Sequence, residues 1–216
     1  MRHFDMPDSS LSETQVTALR TALSDPRFLI KGHFELSSRK RHSPFYFAKD
    51  QVLANARLAA QVSFWIADAV IEEDVQTIVG LATSGIRLLH GVADAVARLH
   101  PNRHLASVFA DKDDDGKFVF KRGSIKELRD HRRVVIVEDV LTSGTSVKQV
   151  ADLVRAHGGY VTAVGAICRR GRITAETLGV PFLQALLELD LPTYSTPNNC
   201  PLCRADTPLS SEFGHG

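Results

Sequence analysis

The sequence predicts an α/β domain built on a central parallel sheet with helices on both faces. The first observation is the stretch Val134-Val135-Ile136-Val137-Glu138-Asp139-Val140-Leu141-Thr142-Ser143-Gly144-Thr145-Ser146. Its β-branched run has no polar alternation, so it reads as a strand buried on both faces, and strands of that kind belong to parallel sheets. The second is that apolar runs recur and alternate with stretches of helical spacing. The third is size: 216 residues fit one α/β domain with small additions.

Taken in order, Ser12-Glu13-Thr14-Gln15 is a capping box, and a helix is expected from there to about residue 24, ended by Asp25-Pro26. Phe28-Leu29-Ile30 leads through Gly32 to Phe34-Glu35-Leu36, an alternating strand. Residues 52–73 carry helical spacing through Leu53, Ala56, Ala60, Phe64, Ala67 and Ile71. Residues 75–81 read as the first strand of the main sheet, followed by a glycine loop and a helix to about residue 99. A strand at 103–110, a charged loop at 111–117 and a hairpin return at 118–123 come next. After the central strand, a helix is expected over 145–157, with Val147, Val150, Leu153 and Val154 toward the sheet and Gly158-Gly159 closing it. Strands at 160–168 and 182–189 complete the sheet.

Ligands of parallel sheets sit beyond the carboxyl ends of the strands, where 139–146 falls. Thr142, Ser143, Thr145 and Ser146 bring hydroxyls, and the first helical turn adds backbone N–H groups and the positive end of the helix dipole. This set suits a phosphate dianion, with Gly144 permitting the tight turn. Glu138 and Asp139 would repel a phosphate; vicinal carboxylates suit ribose hydroxyls, a hydrated Mg²⁺ or a developing positive charge. The ligand implied is a sugar phosphate carrying a metal-bound group. Gly80 and Gly85 have the spacing of a nucleotide-binding P-loop, but Ile86-Arg87 replace its Lys-Ser/Thr, which argues against a nucleoside-triphosphatase. Arg39, Lys40, Arg41 and His42 precede Phe45, Tyr46 and Phe47, which reads as an anion site with an aromatic wall for a planar ring. Cys168-Arg169-Arg170-Gly171-Arg172 lies at a strand's carboxyl end, where guanidiniums invite a planar carboxylate.

The apolar run, the two acids and Thr142-Ser143-Gly144-Thr145-Ser146 resemble the 5-phosphoribosyl-1-pyrophosphate (PRPP) loop of type I phosphoribosyltransferases. The aromatic hood segment and Cys200-Pro201-Leu202-Cys203 are similar to the orotate members of that family. The resemblance implies a PRPP-binding core over about 51–179 and a small hood from N- and C-terminal pieces, about 12–50 and 180–205. It implies Mg²⁺-dependent transfer of a phosphoribosyl group from PRPP to orotate, giving orotidine 5′-phosphate and pyrophosphate. Asp139 and Glu138 would hold the ribose and stabilise its developing charge, and Thr142, Ser143, Gly144, Thr145 and Ser146 the 5-phosphate. Thr83, Ser84 and Gly85 would hold pyrophosphate, and Phe45, Tyr46 and Arg169 or Arg170 the base. The 111–123 stretch matches the family's mobile loop, with Lys112 as the expected catalytic lysine and Lys117, Lys121 and Arg122 following. Two departures stand out: Arg39 occupies a position where glycine is usual, and no aspartate precedes the arginine pair. A homodimer whose mobile loop serves the neighbouring subunit is also implied. The alternatives are a transferase for a purine or uracil, or a non-catalytic sensor of PRPP or nucleotides; the presence of both acids argues against the second.

A formal net charge of +1 gives no reason to expect nucleic acid or an acidic membrane as partner, and no apolar run reaches membrane-spanning length. The first residues lack a signal-peptide apolar region, and an odd cysteine count argues against a disulfide framework, so a cytoplasmic enzyme is expected. The Cys200/Cys203 pair supplies two zinc ligands where a structural site needs four, so a reduced turn is expected there, and the nine histidines show no paired ligand spacing on a helix.

Overall fold

A computed structural model describes residues 11–36, 41–72, 74–82, 85–129 and 132–213. Helix α1 (Glu13–Leu23) starts at the expected capping box: Ser12 Oγ accepts from Gln15 N, and Gln15 Oε1 accepts from Ser12 N at 2.9 Å. Strands β1 (Leu29–Leu36) and β2 (Arg41–Phe47) form an antiparallel hairpin. Its register shifts between Lys31 and Phe34, beside Gly32, where a Cβ would meet the Phe34 ring at 2.8 Å.

The helix expected over 52–73 is two helices, α2 (Lys49–Ala54) and α3 (Ala56–Val70). The break is Asn55, whose backbone is extended (φ −81°, ψ 104°) and whose Oδ1 accepts from Leu58 N at 3.1 Å. An asparagine side chain offers the backbone this alternative to a continuous helix, so it caps α3 rather than propagating α2.

The main sheet then forms from β3 (Thr77–Leu81), helix α4 (Gly85–Leu99), β4 (Ala106–Lys112) and β5 (Phe118–Val119). After a single helical turn, α5 (Arg122–Ile125), come β6 (Arg133–Leu141), α6 (Thr145–Ala156), β7 (Tyr160–Arg170), α7 (Ala175–Leu178) and β8 (Phe182–Leu189). The order is β5-β4-β3-β6-β7-β8, all parallel except β5. The expected hairpin return at 118–123 is thus only two residues of pairing before the chain turns helical.

Central placement of β6 follows from its residues. Val135 and Val137 pack into the core beneath α1, α3 and α4, while Val134 and Ile136 pack into the core beneath α6, and all four are fully buried. A strand with no polar face is stable only between two helical layers. Gly165 on β7 lets α3 approach: a Cβ there would sit 2.8 Å from Ile66.

The segments expected to form the hood divide differently. β8 is the edge strand of the main sheet, and Arg20 of α1 donates to Leu186 O of β8 at 2.9 Å, so both belong to the core. The hood is the β1–β2 hairpin with the tail after β8, which includes helical turn α8 (Pro201–Arg204). His42 and Tyr194 exchange backbone hydrogen bonds at 2.9 and 2.8 Å, and Ser210 N donates to His33 O at 2.7 Å. No helix among the described residues is long and apolar enough to cross a membrane.

Losing the cap at the α2–α3 break should be measurable. Asn55→Ala is expected to destabilise the protein by about 0.5–2 kcal/mol, read by urea unfolding with an unchanged denaturant slope.

Candidate active site

The carboxyl end of β6 delivers Asp139 into the space between hood and core and Glu138 into a cavity within the core. Asp139 Oδ1 accepts from Val140 N at 2.6 Å, and Oδ2 accepts from Lys49 Nζ at 2.6 Å. Lys49 opens α2, immediately after the hairpin. Burial alone would push its pKa down; the charge of Asp139 and their hydrogen bond, with Asp50 and Glu138, outweigh that and leave it raised. Glu138 turns toward the start of α4, where a Cβ on Gly85 would lie 3.8 Å from its Oε1. Burial, and then the negative charge of Asp139, raise its pKa well above the usual carboxylate range.

Beyond the acids the chain makes the phosphate-type loop. Gly144 is left-handed (φ 70°), and a Cβ there would meet Leu178 at 2.5 Å, so both backbone and packing call for glycine. Ser143 Oγ donates to Thr145 Oγ1 at 3.0 Å and accepts from Thr145 N at 3.4 Å, while the N-cap Gly144 has no side chain to cap the next amides of α6. Lys112, Glu138 and residues 142–146 line one cavity of about 150 Å³. Lys112, the last residue of β4, also lies over the Phe118 ring, 5.4 Å from its centroid. Lys121 instead faces Asp111 at 3.8 Å and the Phe109 ring. Within the 111–117 loop the acids act locally, since Asp113 Oδ1 accepts from Asp115 N and Lys117 N and closes the turn.

A second cavity, about 100 Å³, is bounded by Leu36, Tyr46, Phe47, Lys49, Asp139, Val140, Thr142 and Arg170. Tyr46 forms a wall, its ring braced by Phe34 and Phe213 at 5.5 and 5.7 Å between centroids. Arg170 is 4% exposed and donates from Nη2 to Ser43 Oγ at 2.7 Å, while its Nε has no hydrogen-bond partner. No carboxylate pairs with it among the described residues, and burial pushes its pKa down. The neighbouring Cys168 thiol is pushed up to about 12 by burial, so it offers no counter-charge.

Of the expected base-side residues, Tyr46 and Arg170 meet at this cavity and two do not. Arg169 points the other way, donating to Ile173 O at 2.6 Å and pairing with Glu188 at 2.7 Å, because adjacent residues of a strand face opposite sides of the sheet. Phe45 is half-buried and is not among the residues that line the cavity. Thr83, Ser84 and Arg39 lie outside the described residues; Gly85 begins α4. Sequence reasoning missed Lys49 and Ser43. Lys49 did leave a trace: a cation in the first turn of a helix opposes the dipole, which calls for a tertiary partner.

The phosphoribosyl transferase domain model matches residues 48–182. The chain belongs to the phosphoribosyl transferase family. Among its relatives is the orotate phosphoribosyltransferase of Thermotoga maritima, 36% identical over 188 residues, spanning 87% of this chain and 93% of that protein. The fold is shared with the orotate phosphoribosyltransferase of Mycobacterium tuberculosis H37Rv in complex with Fe(III) dicitrate (TM-score 0.62, 20% identity, 85% of this chain and 97% of that one). It is likewise shared with the Aeropyrum pernix orotate phosphoribosyltransferase (TM-score 0.61, 23% identity, 79% and 93%). The type I phosphoribosyltransferase fold is thus established, and the matched span runs from α2 to the start of β8.

The raised pKa of Glu138 has a consequence for stability. A folded value above the unfolded one means that ionising Glu138 works against the fold. Its contribution is intact below the unfolded carboxylate's pKa of about 4.3 and is lost as pH rises through the folded value. Glu138→Gln keeps an oxygen for the Asp139 N–H. The variant should melt at a higher temperature than the parent at pH 8, by a margin that shrinks toward pH 4. Calorimetry across that range measures it.

Proposed function

We propose that this phosphoribosyltransferase moves the phosphoribosyl group of Mg-bound PRPP onto orotate, giving orotidine 5′-phosphate and pyrophosphate. The observation that carries the base assignment is Arg170. A buried guanidinium with one hydroxyl partner and an unpartnered Nε, beside a tyrosine wall, suits a planar ring bearing a carboxylate. A neutral purine or uracil would leave that charge unpaired on closure, which is costly. The relatives named orotate phosphoribosyltransferase support the same reading.

In this mechanism the 142–146 loop anchors the 5-phosphate through α6 amides and hydroxyls. Thr83, Ser84 and Gly85 receive the pyrophosphate, and of these Gly85 begins α4. The bond from ribose C1 to pyrophosphate breaks, a ring nitrogen of orotate loses its proton to solvent and bonds to C1, and the ribosyl centre passes through an oxocarbenium-like state. Asp139 and Glu138 hold the ribose hydroxyls and oppose that charge. Lys49 pairs with Asp139 and orients it, and Lys112 neutralises the departing pyrophosphate. The donor set suits a metal carried in by the substrate: Asp139 is already paired with Lys49 and Glu138 is buried, so neither would need to serve as a direct Mg²⁺ ligand. Mg²⁺ supplies charge neutralisation on the pyrophosphate. The enzyme acts in the cytoplasm as a homodimer, and the loop of Lys112, which lines its own chain's cavity in the single chain, is exchanged so that it serves the partner's site.

Steady-state kinetics with orotate, uracil, hypoxanthine and adenine at saturating Mg-PRPP test the base. Orotate should be preferred by several orders of magnitude over uracil, which lacks only the carboxylate. Better use of any other base overturns the assignment, and absence of turnover with every base favours a sensor. Arg170→Ala should lower kcat/KM for orotate on the order of a hundredfold or more while PRPP still binds. For loop sharing, mixing inactive Lys112→Ala with inactive Asp139→Asn should restore part of the activity once subunits exchange. No recovery after proven exchange rejects the sharing.

A further inference from the structure

We propose that His33, His42, Cys200 and Cys203 form a structural zinc site that fastens the C-terminal tail to the β1–β2 hairpin. One ligand atom from each, His33 Nε2, His42 Nδ1 and the two Sγ atoms, all lie within 4.8 Å of one another. His33 Nε2 is 2.8 Å from His42 Nδ1 and 3.5 Å from each sulfur, and Cys203 Sγ is 3.1 Å from His42 Nδ1. Zinc bonds of about 2.0–2.1 Å to nitrogen and about 2.3 Å to sulfur put tetrahedral ligand atoms about 3.3–3.8 Å apart. The two distances from His33 Nε2 to sulfur match that spacing, and the two at His42 Nδ1 are shorter than it.

A second observation is independent of the cluster. The outward nitrogen of His33, Nδ1, lies 2.7 Å from Thr207 O. A carbonyl there requires the proton on Nδ1, which leaves the Nε2 lone pair aimed into the cluster. This is the outer partner that metal-bound imidazoles ordinarily have. The tail is wound to supply it: Arg204 N bonds Cys200 O, Asp206 N bonds Cys203 O, Thr207 N bonds Leu202 O, and Asp206 takes a left-handed φ of 49°.

Hydrogen bonds alone satisfy the cluster poorly. With the His33 proton on Nδ1, Nε2 can only accept, and His42 Nδ1 at 2.8 Å must serve either it or the sulfur at 3.1 Å. His33, His42 and Cys200 are almost fully buried, so water is not at hand to help. A cation takes all four lone pairs at once. Two thiolates and two imidazoles in a tetrahedron select zinc over magnesium or calcium, and four protein ligands leave no open position for catalysis.

The site reaches the base cavity through the chain. His42 precedes Ser43, whose Oγ accepts from Arg170 Nη2 and donates to Pro192 O at 2.8 Å. Phe213 of the tail braces Tyr46. Zinc binding stands on the cluster alone; its effect on the base rests on the orotate reading.

The test is metal content. Untagged protein produced with zinc and dialysed against metal-free buffer should hold about one zinc per chain by mass spectrometry. A cobalt-substituted sample should show intense tetrahedral ligand-field bands and thiolate-to-cobalt charge transfer. Cys203→Ser should lose the metal, Cys203→His should keep it with weaker charge transfer, and Cys168→Ser should keep it unchanged. Stripping the zinc should raise KM for orotate more than KM for PRPP. Folded wild-type protein that takes up no stoichiometric zinc overturns the site, as does a Cys200→Ser/Cys203→Ser double variant with wild-type zinc content.

Discussion

The pair of carboxylates at the end of β6 sets the terms for everything around it. A strand buried on both faces carries its last residues out of a dry core, and a carboxylate as buried as Asp139 calls for a hydrogen-bonded partner. Lys49 is that partner, and it comes from the first turn of α2, directly after the hairpin. The ion pair therefore joins the hood to the centre of the sheet. Its net contribution to stability is small, because desolvating a lysine and an aspartate offsets most of their attraction. What it supplies is position: Tyr46 is held three residues before Lys49, over the same cavity as Asp139.

Two other groups in the site are held against their own preference. Glu138 is buried beside a like charge, and Arg170 is buried with a hydroxyl where a carboxylate would suit it better. Both are electrostatic deficits in the free protein that a ligand of the right charge relieves. Binding that cancels such a deficit discriminates strongly, since a ligand lacking the complementary group leaves the penalty in place. The stability forgone in the empty site and the selectivity of the filled one have the same origin.

The sheet, its helices and the phosphate-type loop were legible because each rests on local pattern: β-branched runs, helical spacing, and hydroxyls around a glycine. Gly144 illustrates why, since its left-handed turn and its contact with Leu178 both demand the residue that the motif shows. The base side was less legible. Arg169 and Arg170 are chemically identical in sequence, and only strand register decides that one pairs with Glu188 while the other enters the cavity. Lys49 was hidden because its partner lies ninety residues away and its neighbours read as ordinary helix. The division at Asn55 was missed because one apolar stripe runs through both helices.

The least legible feature was the histidine–cysteine cluster, and its obscurity follows from its function in the fold. Motif spacing exposes a metal site when all ligands sit in one short segment. Here the thiols come from one turn of the tail and the imidazoles from two facing strands, so half of the set is invisible from either end. The hood needs such a join. A two-stranded hairpin is marginal by itself, and the tail after β8 contributes one helical turn and little core. They meet through the His42–Tyr194 and Ser210–His33 backbone bonds, and a fixed link between them lowers the entropy that must be given up to order the pair. The cluster lies one residue from Ser43, which accepts from Arg170, so the tail and the surroundings of Arg170 are joined through adjacent residues of one strand.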